Sequence, residues 1–236
     1  RMSCSSAQHY GRAHQQVYES VCLGAHSYTL ERFDRTELVF LRLLSVFVLK
    51  LCHERTLMNF TKLDISRSAE ITALFENTFS ASEGTEEGQA IVDLTRRIMA
   101  KTAPEDLYVF GATSGADIAG SIMFTRLTYP NSDQVVFVMA PVAVASKVQG
   151  QGIGQKLIAF GLAELRAALV DVAVTYGDPS YYTKSGFNVI TEDQIAAPYK
   201  LQFPEGWLAQ SLNGELLPNL PEPCRCVAAF ADPQFW

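Results

Sequence analysis

The stretch "SKVQGQGIGQKL", Ser146–Leu157, decides the reading. Gly150, Gly152 and Gly154 are separated only by Gln151 and Ile153. The run "IGQKLIAFGLAELRAAL" starts inside the same stretch and carries apolar residues at helical spacing. Glycine lacks a Cβ, so the chain can curl tightly and a ligand can approach the backbone. A helix start adds unpaired N–H groups and the positive end of the helix dipole. Bare backbone placed just before a helix therefore predicts an anion-binding turn.

Three kinds of phosphate loop fit that description, and spacing separates them. A Walker A loop needs G-x-x-x-x-G-K-[ST]. Here Gly154 is followed by Gln155 and Lys156, with Leu157 where Ser or Thr would stand. A dinucleotide fingerprint needs G-x-G-x-x-G. Counted from Gly150 the third glycine falls on Gln155, and counted from Gly152 it falls on Leu157. What remains is Gln149-x-x-Gly152-x-Gly154 between an apolar strand and an amphipathic helix.

The flanks are equally specific. "QVVFVMAPVAVAS" before the turn is nearly all apolar, as expected of a strand buried on both faces. Pro141 inside it cannot donate to a ladder and marks an edge or a bulge. At a bulge the strand leaves its neighbour with N–H and C=O groups unpaired. After the helix come a strand, "VDVAVTYGD", and a short helix, "PSYYTKSGF". Asp178 suits its N-cap, Pro179 its first turn and Gly186 its stop. Those end signals do not account for two adjacent tyrosines, Tyr181 and Tyr182, in the first turn.

Upstream, "MNFTKLDI" reads as a short strand, and "SAEITALFENTFSA" and "QAIVDLTRRIMAK" as helices separated by the polar break "SEGTEEG". "LYVFGAT" and "DIAGSIMFTRLTY" form a hairpin through Ser114, Gly115 and Ala116. Downstream, strands are expected around Tyr199–Phe203 and Arg225–Phe230, separated by a Pro-rich turn region. The order (strand, two helices, three strands, helix, strand, short helix, strands) predicts a layered α/β fold of the α+β kind.

The turn and its flanks resemble the acyl-CoA motif [Q/R]-x-x-G-x-[G/A] of the GNAT superfamily of N-acetyltransferases. "VAV", Val142–Val144, matches that family's "LAV" before the glycines. "YYTKSGF" matches its "FYxKxGF" segment at Tyr182, Lys184, Gly186 and Phe187. The run "GDPSYY" is similar to that of a subgroup of bacterial acetyltransferases. The likeness covers element order from Met58 to about Phe187, and its specific motifs lie within Pro141–Leu157 and Gly177–Phe187.

The resemblance implies a mostly antiparallel sheet with one splayed strand pair and flanking helices. It implies acetyl-CoA as cosubstrate, held by Val142, Ala143, Val144 and the turn Gln149, Gly150, Gln151, Gly152, Ile153, Gly154 and Gln155. It also implies acetyl transfer to an amine by direct attack. The match gives Tyr182 the role of acid toward the departing thiolate, with Tyr181 second. A backbone N–H near Val142–Val144 would meet the oxyanion. No histidine follows Met58, so the base would be a carboxylate or a water relay. Asp178, Glu76, Glu83 and Glu86 are candidates, with capping the stronger role for Asp178. A covalent route through Cys224 or Cys226 lacks a local group to form the thiolate. The alternative function is a non-catalytic acyl-CoA-binding regulatory module.

Composition sets bounds. The chain has 236 residues, 48% apolar and 19% charged, and a net charge of −6, which argues against nucleic acid as a partner. Its five cysteines, Cys4, Cys22, Cys52, Cys224 and Cys226, form neither a disulfide framework nor a zinc pattern. No metal is expected, and a reducing cytoplasm is the expected location.

Residues 1–57 differ in kind: they hold all four histidines and seven Lys/Arg against five Asp/Glu, whereas residues 58–236 hold twelve against twenty. An acidic domain of this kind fits a cationic small-molecule or peptide amine as acceptor. "LVFLRLLSVFVLKLC", Leu38–Cys52, falls short of the roughly 20 apolar residues of a membrane span. Three readings of 1–57 compete: an upstream extension foreign to the native protein with Met58 the true start, an amphipathic helix for a partner or membrane surface, or an extra core helix. The expected division is 1–57 as extension and 58–236 as the acetyltransferase-like domain, with a homodimer left open.

Overall fold

The computed structural model describes residues 58–236. The expectations for residues 1–57 lie outside the described residues.

The elements follow the expected order. Strand β1 (Asn59–Lys62) leads into helices α1 (Ser68–Ser82) and α2 (Thr85–Lys101). The hairpin β2 (Leu107–Ser114) and β3 (Asp117–Thr128) follows, then β4 (Val136–Val144), α3 (Ile153–Ala167) and β5 (Val172–Tyr176). A one-turn helix α4 (Pro179–Tyr182) precedes the short strand β6 (Asn188–Val189), then β7 (Trp207–Ser211) and β8 (Arg225–Cys226). The sheet runs β1-β2-β3-β4-β5-β7-β6, with β8 pairing β3. Every pairing between these strands is antiparallel except β4 with β5.

Two apolar layers sandwich the sheet. On one face Ile71, Leu74 and Phe75 of α1 and Ile91, Leu94 and Ile98 of α2 pack against Val109, Met123, Val138, Val174 and Trp207. On the other, Leu157, Ile158, Leu162 and Leu165 of α3 pack against Phe110, Ile122, Phe124, Phe137 and Leu208. Successive strand residues point to opposite faces, so Phe137 and Met139 enter one layer and Val136 and Val138 the other. That double demand is why the first half of β4 is apolar at every position.

Gly161 lets α3 lie against the sheet. A Cβ there would come within 2.7 Å of Ile122 Cδ1 and 2.8 Å of Phe124 Cε2. Gly161→Ala is expected to lower unfolding free energy by about 1–3 kcal/mol, the usual cost of overpacking a filled core. Urea denaturation of residues 58–236 checks this.

The structure differs from expectation in three places. Helix α2 starts at Thr85, inside the "TEEG" read as a break. Gly88 lies within the helix, and a Cβ there would collide with Ser80 Oγ, so this glycine marks where α2 crosses α1. No strand forms at 199–203, although Tyr199, Leu201 and Phe203 alternate with polar residues. The Phe203 N–H is instead taken by the Tyr176 hydroxyl at 2.8 Å. The strand of this region is Trp207–Ser211, which pairs with both β5 and β6. In the last segment only Arg225–Cys226 is strand, and Ala228–Phe230 turns as 3₁₀ helix.

Candidate functional site

The parallel pair β4–β5 creates the site by coming apart. Val136–Met139 pair with Val172–Thr175, after which β5 ends at Tyr176 while β4 continues to Val144. The Thr175 hydroxyl donates to the Met139 carbonyl at 3.1 Å, at the last paired position. On its other edge β4 bulges: Met139 faces Phe124 and Val142 faces Ile122, so Ala140 and Pro141 together oppose Met123. A residue without an N–H fits there, because the extra residue of a bulge is left unpaired. Pro141 thus marks a bulge in a central strand rather than a sheet edge.

The ladder beyond the bulge fixes which groups are free. The Ala145 N–H donates to Ala119 O at 2.8 Å, making that pair hydrogen-bonded across the β3 edge. Alternation along an antiparallel ladder then turns the N–H and C=O of Ala143 toward β3, and those of Val142 and Val144 toward the side β5 has left. One of these groups is occupied: Gln149 Nε2 donates to Val144 O at 2.8 Å, tying the glycine turn back to the strand.

The turn itself presents backbone. Gly150 and Gly152 both have φ of +74°, where a side chain is strained, and a Cβ at either would meet nothing within 4 Å. Their requirement is therefore conformational. Gly152 is the N-cap of α3, and no side chain caps the helix. The first helical bond of α3 runs from Lys156 N–H to Gly152 O at 3.1 Å. Among the described residues, the N–H groups of Gly150, Gln151, Gly152, Ile153, Gly154 and Gln155 have no hydrogen-bond acceptor. Six amides at the positive end of a 15-residue helix can hold a multiply charged anion.

Helix α4 brings the two tyrosines to this region. The Asp178 carboxylate accepts from the Ser180 N–H and the Ser180 hydroxyl, each at 2.8 Å. These bonds hold its pKa below the ordinary carboxylate value. With one oxygen on the N–H and the other on the hydroxyl, it is a helix cap and a weak base. The tyrosine rings meet edge to face at 5.2 Å, and Tyr182 meets Phe187 edge to face at 6.2 Å. The Tyr182 ring lies on Gly177, where a Cβ would come within 2.8 Å of Cε2. Burial raises the Tyr182 phenol to about 12, opposed in part by the nearby Thr175 side chain. That neighbour is the last residue of β5 paired with β4, so Tyr182 lies close to the point where β4 and β5 part. Tyr181 instead reaches Gly154 in the first turn of α3.

The remaining candidates lie elsewhere. Glu76, Glu83 and Glu86 are exposed, with no hydrogen bond to α4 or the turn among the described residues. Glu76 lines a cleft of about 630 Å³ between α1 and α2, with Arg96 and Met99. That cleft shares no residue with the turn or the tyrosines. Cys224 is buried beside Tyr129, and burial pushes its thiol up to about 12, unsuited to a nucleophile. Sequence reasoning missed Thr175, which appears in "VDVAVTYGD" only as a polar residue inside an apolar strand.

The family model for the acetyltransferase (GNAT) family matches residues 69–187, half of the chain. The chain belongs to the GNAT acetyltransferase family. The resemblance carried by the turn and the tyrosine segment therefore holds. This GNAT chain is 32% identical over 101 residues to the uncharacterized N-acetyltransferase YjhQ of Escherichia coli (strain K12), covering 41% of this chain and 56% of that protein. It is 33% identical over 78 residues to the uncharacterized N-acetyltransferase YhbS of the same strain, covering 33% and 47%. The matches span about half the length of these curated relatives. The crystal structure of E. coli YhbS in complex with CoA has a TM-score of 0.61 at 22% identity, covering 74% of this chain and 92% of that one. A GNAT family acetyltransferase from Brucella melitensis in complex with acetyl-CoA has a TM-score of 0.53 at 27% identity, covering 75% and 99%. Among the described residues, no helix is long and apolar enough to cross a membrane.

Proposed function

We propose that residues 58–236 form one acetyltransferase domain that transfers an acetyl group from acetyl-CoA to an amine. The observation that carries this is the run of six unclaimed amides, Gly150–Gln155, lying beside a strand whose outer edge is open. The amides hold the diphosphate, while Val142 and Val144 offer strand-like bonds to the amides of the pantetheine arm. Laid along β4, the arm delivers its thioester to the parting of β4 and β5, where Thr175 and Tyr182 meet. Complexes of YhbS with CoA and of the Brucella protein with acetyl-CoA support the choice of carrier.

The reaction needs no covalent enzyme intermediate. The lone pair of a neutral amine forms a bond to the thioester carbonyl carbon, and the carbonyl electrons move to oxygen. In this reading a free N–H of Val142 or Val144 takes up that charge. Collapse breaks the C–S bond, and the thiolate takes the Tyr182 proton. The proton shed by the nitrogen restores the phenol through solvent. The domain's net negative charge, with twenty acidic residues against twelve basic ones, favours a cationic acceptor.

The test is a thiol-release assay with acetyl-CoA and a panel of primary amines, from small polyamines to peptide N-termini. Turnover above the hydrolysis background with at least one amine, with mass spectrometry showing the acetyl group on nitrogen, is the expected result. Calorimetric binding of acetyl-CoA with no turnover across the panel would replace this reading with a non-catalytic binding module. No heat with either acetyl-CoA or CoA would remove both.

A further inference from the structure

The adjacent tyrosines of α4 are held in different places, and the third glycine of the turn shows why. Gly154 is helical and needs no unusual φ, unlike Gly150 and Gly152. A Cβ added to it would collide with one atom, the Tyr181 Oη. The next atoms in reach, Val144 Cγ2 at 3.5 Å and Tyr181 Cζ at 3.6 Å, are ordinary contacts. The tightest neighbour of Gly154 is thus a single oxygen at the end of a side chain of α4. Among the described residues that oxygen has no hydrogen-bond partner, and half-burial alone raises the phenol's pKa. A neutral donor therefore stands over the first turn of α3 at Gly154, whose N–H is one of the six free amides.

We infer that Tyr181 is a positioning residue for the carrier: its hydroxyl donates to the diphosphate of coenzyme A as that group sits on the amides of Gly150–Gln155. The small residue at Gly154 leaves room for this hydroxyl. This rests on the coenzyme A reading above and divides the tyrosines, with Tyr181 serving binding and Tyr182 serving chemistry.

The experiment titrates free coenzyme A into wild type, Tyr181→Phe, Gly154→Ala and the double variant, and records the thermal midpoint of each without ligand. Tyr181→Phe removes one atom and is expected to raise the Kd about tenfold, the worth of one hydrogen bond to a charged group. The KM for acetyl-CoA should rise with the Kd, and by more than kcat falls. Gly154→Ala should shift the unliganded midpoint little, because the clash falls on the free end of a side chain, and should weaken binding about as much as Tyr181→Phe, because its methyl displaces the hydroxyl. The double variant should keep the midpoint and the Kd of Tyr181→Phe.

A Tyr181→Phe protein with wild-type Kd overturns the inference. Tighter binding does so too, because it would make the phenol an obstacle instead of a ligand. Equal losses for Gly154→Ala with and without the hydroxyl also overturn it. Absence of any heat with wild type sinks the coenzyme A reading itself and this inference with it, a result distinct from wild-type binding that Tyr181→Phe leaves unchanged.

Discussion

Gly152→Val is expected to raise the Kd for coenzyme A by about 10²–10⁴-fold while leaving the domain folded. The reasoning starts from two facts about Gly152. Its φ is +74°, and a Cβ built on it meets no atom within 4 Å. Steric conflict with neighbours is therefore absent, and the whole penalty is backbone strain. A β-branched residue in the left-handed region is a severe outlier, so valine will move this position to another part of φ/ψ space.

Gly152 is the hinge between the turn and α3: its carbonyl accepts the first helical bond, and the unclaimed amides lie on both sides of it. Moving it rotates Gly150 and Gln151 relative to Ile153–Gln155, so the amides no longer converge on one anion. Losing two charge-assisted bonds of about 1.5–3 kcal/mol each gives the stated range. Gly152→Asn is the control. Asparagine tolerates the left-handed region, so its Kd should stay within about tenfold of wild type. Calorimetry with coenzyme A, alongside thermal midpoints, measures both. If Gly152→Val bound as wild type does, the diphosphate would have to sit elsewhere.

This contrast between glycines shows what sequence could and could not convey. The need for three small residues before a helix was legible, because spacing alone separated this turn from the other phosphate loops. The reasons were not: Gly150 and Gly152 are demanded by φ, whereas Gly154 leaves room for a tyrosine 27 positions later, and no local pattern distinguishes them. Pro141 was legible as an interruption in an apolar strand, and the alternatives of edge and bulge needed the pairing of β3 with β4 to resolve. Asp178 was legible as a cap because capping is local, within two residues. The tail was hard to read for the opposite reason. Tyr199–Phe203 has the period of a strand and no partner, whereas Trp207, Leu208 and Ala209 lack alternation because β7 is covered on both faces. Strand identity there depends on what β5 offers from more than 30 residues away.

Tyr182→Phe carries the second large expectation: kcat falls by about 10²–10⁴-fold, the span usual for loss of a positioned general acid, with the Kd for coenzyme A changed less than about threefold. The phenol rests on Gly177 and meets Thr175 where β4 and β5 part, so phenylalanine keeps the ring packing and loses only the proton. A pKa of about 12, taken alone, makes it a poor donor to a thiolate. Burial accounts for that value by disfavouring the phenolate, and it acts on a thiolate in the same place in the same direction. Burial pushes the Cys224 thiol of this fold up in the same sense. Proton transfer between two equally desolvated groups keeps roughly the modest opposition of their solution values.

The raised value also fixes a pH dependence. Tyr182 is active when protonated, and raising its pKa from 10.0 to about 12 extends the protonated form upward. The wild-type rate should therefore climb with the fraction of neutral acceptor amine and show no fall assignable to Tyr182 below about pH 11. No histidine lies in residues 58–236, so a rising limb near 6.5 from that residue type is not expected from this domain. Steady-state kinetics from pH 6 to 11 with a single amine decides the matter. A falling limb centred near 10 that disappears in Tyr182→Phe would mean the phenol is solvated, contrary to its packing. A kcat unchanged by the substitution would pass the acid role to water or to Tyr181.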